Sequence, residues 1–79
     1  MSVKALLLAT LTLGANDPQV ITTTNVLDDV EQCVPAMRQI AEHHNLKNNI
    51  HSQGKEYLKA RKLTAQGTVV LSISCKELK

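Results

Sequence analysis

The sequence predicts an α+β domain: a three-stranded antiparallel sheet with one main helix packed on one face, in the order β-β-α-(α)-β. Three observations lead there. Residues 3–13 and 68–75 alternate side chains with the two-residue period of a strand. Residues 19–26 are β-branched almost throughout. Residues 27–46 repeat apolar side chains at the three- and four-residue steps of an amphipathic helix.

The first strand, Val3 to Leu13, places Val3, Ala5, Leu7, Ala9, Leu11 and Leu13 on one face. Lys4, Leu6, Leu8, Thr10 and Thr12 take the other, which suits a central strand. Leucine and alanine also favour helix, but the threonines and Gly14 argue for the strand. The same segment resembles a short secretory signal, with Lys4, an apolar stretch and small residues up to Ala15. Both readings stand, the strand being preferred. The segment is too short to span a membrane.

Gly14 to Pro18 is a turn by its residues, and Gln19 to Val26 returns as the second strand of a hairpin. The helix over Leu27–Leu46 sets Leu27, Val30, Val34, Met37, Ile40, Ala41 and His44 on its apolar side. Asp28 is placed to cap it, with Glu31 three residues on. Pro35 leaves two readings: a kinked helix capped by Asp28, or a regular helix starting near Pro35 after a separate turn. Asn45, Asn48 and Asn49 are stop and loop residues. Gly54 to Leu63 is read as a short second helix or a solvated connection. After a turn at Ala65–Gly67, the last strand directs Val69, Leu71, Ile73 and Cys75 to one face, with Thr68, Val70, Ser72 and Ser74 opposite.

The chain has 79 residues, which is one domain spanning 1–79. At this length only about 60% of the unfolded surface is buried on folding. Tyr57 is the one aromatic residue, so the core is aliphatic and benefits from a staple or a partner subunit. Cys33 lies on the apolar side of the helix, and Cys75 ends the apolar face of the last strand. A disulfide between them is geometrically allowed, closing a loop of 42 residues. Two buried thiols in a reducing compartment are the alternative.

No catalytic constellation appears: no glycine-rich phosphate loop, no nucleophile elbow, no serine with a placed histidine and aspartate. The expectation is therefore a non-enzymatic protein that needs no cofactor. His43 and His44 are adjacent, so on a helix they diverge by about 100°. Without a Cys-x-x-Cys or spaced-histidine pattern they give no metal site.

Net charge is only +2, but its distribution is uneven. Residues 28–42 hold four acids against Arg38, net −3. Residues 47–62 hold five bases, Lys47, Lys55, Lys59, Arg61 and Lys62, against Glu56, net +4. With Tyr57 these bases are the candidate partner-binding residues, and two solvated surfaces that attract each other are the bland alternative. Lys55, Lys59 and Lys62 share one face if that segment is helical. The scarcity of aromatics weighs against nucleic acid. The half-apolar second sheet face, with Leu6, Leu8 and Val70, points to a partner, a second copy or the short helix lying across it.

Lys4–Leu8, Val20–Val26, Asp28–Cys33 and Val69–Cys75 together resemble a pattern in small proteins of tailed phages and prophages. There, a Lys-Ala-Leu-Leu-Leu-like start is followed by a turn, a Thr/Val strand, an acidic helix start with a cysteine, and a terminal strand ending in cysteine. The resemblance covers about half of the chain, and the basic stretch from Asn45 to Gln66 departs from it. The element order is also similar to that of a small phage inhibitor of bacterial RNA polymerase. The absence of catalytic chemistry, the half-apolar second face and the exposed sheet edges lead to the expectation of a small interaction protein. With the phage resemblance, its partner is expected to be a host or phage protein in the bacterial cytoplasm. A self-assembling virion component, an exported disulfide-stapled protein and a nucleic-acid binder are the other readings.

Overall fold

The computed structural model describes residues 3–14 and 18–78. The centre of the expected first turn, including Ala15 at the end of the signal-like segment, and the final lysine lie outside those residues. Five strands, β1 (Ala5–Leu13), β2 (Gln19–Leu27), β3 (Ile50–Gln53), β4 (Tyr57–Thr64) and β5 (Gly67–Glu77), form one antiparallel sheet in the order β2-β1-β5-β4-β3. One helix, α1 (Cys33–His43), is preceded by a 3-10 turn at Val30–Gln32 and followed by another at Lys47–Asn49.

The fold is α+β, but the expected three-stranded sheet is corrected to five strands. Residues 54–63 are neither a second helix nor a loose connection. Their Lys, Glu, Leu, Ala and Arg favour helix locally, yet pairing with β5 overrides that preference. Eight consecutive pairs run from Tyr57↔Ser74 to Thr64↔Gly67, closed by a two-residue turn. Gly67, at φ 123°, takes the left-handed conformation the turn needs. Thr64 Oγ1 donates to the Gly67 carbonyl at 2.7 Å and accepts from the Gln66 amide at 3.3 Å. Leu58 and Ala60, two residues apart, are both fully buried, which a strand allows and a helix does not.

The expected helix over Leu27–Leu46 is also shortened at both ends. Asp29, not Asp28, accepts the Glu31 amide at 3.0 Å and caps the 3-10 turn. The regular helix begins at Cys33, so Pro35 falls in its first turn, where amide protons have no partner inside the helix. The separate-turn reading of Pro35 is the one adopted. At the far end Asn45 has φ 59°. The Leu46 amide donates to the Ala41 carbonyl at 2.7 Å, and the Asn45 amide to Glu42 at 3.0 Å. This double closure turns Leu46 back into the core, where it is 1% exposed.

The core lies between α1 and the inner sheet face. Ala5, Leu7, Ala9, Leu11, Leu58, Ala60, Leu71, Ile73 and Cys75 meet Cys33, Met37, Ala41 and Leu46. Alanines at the sheet centre and at position 41 let the helix approach without aromatic spacers. Cys33 and Cys75 are joined as a disulfide with Cα atoms 5.8 Å apart, fastening the helix start to the end of β5. Among the described residues no helix is long and apolar enough to cross a membrane.

Candidate interaction face

The helix covers one side of the sheet. The strand register sets what the other side presents, rung by rung across the strands. Val26, Leu6 and Lys76 form the first rung. Thr24, Leu8, Ser74 and Tyr57 form the second. Thr22, Thr10, Ser72, Lys59 and Ser52 form the third, and Val20, Thr12, Val70 and Arg61 the fourth. Leu63 closes the pattern beside Thr68. The rungs carry three bases, Lys59, Arg61 and Lys76, and no acid.

The apolar members of this face are exposed: Leu6 is 40% and Leu8 38% accessible, and Val26, Tyr57, Leu63 and Val70 are exposed as well. Between them runs a band of threonine and serine hydroxyls. The result is a broad, gently polar surface with an apolar side and a basic side. Tyr57 is held in place locally. Its hydroxyl accepts from Ser52 Oγ at 3.3 Å, and its ring lies over Gly54, where a Cβ would sit 2.5 Å from Cε1. Position 54 therefore has to be glycine for the ring to lie there.

Of the six residues expected to bind a partner, Tyr57, Lys59 and Arg61 meet on this face. Lys62 pairs with Val69 and, by strand alternation, projects on the helix side. Lys47 sits in the 3-10 turn after α1, and Lys55 in the turn between β3 and β4. The helical grouping of Lys55, Lys59 and Lys62 is thereby corrected, because the segment is a strand. Lys76 also lies on this face, one residue beyond the expected end of the last strand at Cys75. The signal for it was present: it continues the alternation of Ser72 and Ser74, since β5 runs on to Glu77.

On the helix side, α1 leaves the inner face of β2 uncovered. A groove of about 480 Å³ runs there, with Ile21, Thr23 and Asn25 on one wall and Gln39, Ile40 and His43 on the other. The His43 and His44 rings meet edge to face, 5.1 Å between centroids. Among the described residues no three of His, Cys, Asp or Glu gather as metal ligands. Comparison with protein-family models, with curated proteins and with solved structures finds no match to this chain.

Proposed function

We propose that this protein is a non-enzymatic interaction module whose outer sheet face docks an acidic, partly apolar protein surface. The observation that carries the reading is a five-stranded face with three bases, no acid and seven exposed apolar side chains: Leu6, Leu8, Val20, Val26, Tyr57, Leu63 and Val70. Exposed apolar side chains rimmed by polar and charged ones mark protein interaction surfaces. Tyrosine and arginine are the side chains that most often anchor them. The bases steer an oppositely charged partner and reject a basic one. A nucleic acid would need several stacking rings, and this face has one. In keeping with the phage resemblance, the partner is sought among bacterial host and phage proteins.

The test is affinity capture from bacterial lysate with the intact chain. The wild type is expected to retain an acidic protein in stoichiometric amount. Lys59→Glu with Arg61→Glu is expected to lose it, while Lys47→Glu with Lys62→Glu, away from the face, keeps it. Equal capture by the Lys59/Arg61 variant overturns the reading. So does binding that goes instead to DNA or RNA and falls steeply with salt.

A further inference from the structure

We infer that two copies of this chain pair through strand β2, joining their sheets into one continuous ten-stranded antiparallel sheet about a two-fold axis at Thr23. The argument begins with the two edges of the sheet. An edge strand offers a row of unpaired backbone donors and acceptors, and proteins that stay monomeric blunt it with charge, proline, a bulge or shortness. The β3 edge is blunted twice: it is four residues long, and its register slips between Ile50 and Ser52. The β2 edge has none of these devices. It is nine residues long, in unbroken register with β1, and exposed from Gln19 to Val26. No charged residue and no proline occurs from Gln19 to Leu27.

The sequence of β2 is also complementary to itself. Antiparallel pairing centred on Thr23 sets Val20 against Val26 and Thr22 against Thr24 of the second copy on the outer face. On the inner face it sets Ile21 against Asn25, and Thr23 against its own counterpart. Each apolar residue of the outer face finds an apolar one, and no like charges meet. Such a pairing adds about eight backbone hydrogen bonds, because antiparallel pairs alternate between two bonds and none. One open edge per copy closes the assembly at two, since the β3 edges left outside are short and bulged. The inner faces of both β2 strands become the floor of a cleft between two helices, which accounts for the groove that α1 leaves uncovered. The outer faces join into a surface twice as wide. This pairing does not depend on what binds there.

Sedimentation of the disulfide-intact chain reads the outcome. The wild type is expected at twice the 8.7 kDa chain mass, dissociating on dilution. Thr22→Lys with Thr24→Lys faces lysine with lysine and is expected to sediment as a monomer. Thr22→Lys with Thr24→Glu faces lysine with glutamate in this register, and in neither neighbouring one, so the dimer is expected to return. Both substitutions sit on the exposed edge, and circular dichroism checks that each variant is folded. Amide exchange on the wild type reports independently: alternate β2 amides are expected to be protected in concentrated and not in dilute solution. A wild type that stays monomeric up to about 1 mM overturns the inference, as does a species larger than two. A dimer that survives the double lysine change does so as well, and failure of the lysine–glutamate pair to restore it overturns the register.

Discussion

The two faces of the sheet are built from the same strands, often from neighbouring residues of the same kind, and they have opposite fates. Leu7 is 1% exposed, whereas Leu6 and Leu8 on either side of it are 40% and 38% exposed. Composition does not separate them; parity does, because α1 covers one side only. The inner face supplies the folding energy. The outer face holds apolar groups that folding leaves partly in water, together with the bases Lys59, Arg61 and Lys76. The difference teaches that the helix, and not composition, decides which leucines leave water, and that perturbing the two faces should give separable effects.

The largest expected effect comes from the staple on the inner face. Reducing Cys33–Cys75, or replacing both with alanine, removes a cross-link between residues 42 apart. The chain-entropy model puts the loss at about 4 kcal/mol, a large share of what a domain this small possesses. Denaturant unfolding with and without reductant measures it. An unchanged midpoint would mean that the aliphatic core alone holds α1 to β5.

Next comes Leu7→Ala, which empties a site between α1 and the sheet centre. Its expected cost is about 2–5 kcal/mol, the range for buried leucine truncation, seen as a lower midpoint at an unchanged denaturant slope. A cost under about 1 kcal/mol would mean that the alanine-lined neighbourhood of Ala5, Ala9 and Ala41 collapses to refill the space.

How much of this could be read from the sequence follows from how strongly each pattern is enforced. The faces of β1 and β5 were legible because one side is apolar at every second position, from Ala5 to Leu11 and from Val69 to Cys75. The meeting of Cys33 with Cys75 follows from those same faces. Asn45 as the helix stop was legible because asparagine tolerates the left-handed conformation there. The β3–β4 hairpin was not. Its buried residues are only Leu58 and Ala60, its exposed ones are good helix formers, and its strand character comes from β5, a partner outside the window. The candidate face was half legible for the same reason. Leu6, Leu8 and Val70 are on the face where their alternation puts them, but Lys59 was grouped with Lys55 and Lys62 by a helical spacing that the strand does not have. Lys76 was hidden by ending the last strand two residues early.

The smallest expected effect on stability is the one that best separates the two faces. Leu6→Ser with Leu8→Ser changes residues flanking Leu7 but keeps every backbone pair of β1 with β2 and β5. Each side chain is about two fifths exposed, so the change gives up part of its burial but opens no cavity between α1 and the sheet, and serine tolerates strand geometry beside Ser74. Each substitution should therefore cost about 1 kcal/mol, less per residue than Leu7→Ala, because part of the burial is lost but no core cavity is left behind. Partner capture should fall sharply, because the apolar side of the outer face would be gone while Lys59, Arg61 and Lys76 remain. Measuring unfolding midpoint and capture on the same sample gives the contrast directly. If capture survives and stability collapses, the outer leucines belong to the fold, and binding rests on the bases alone.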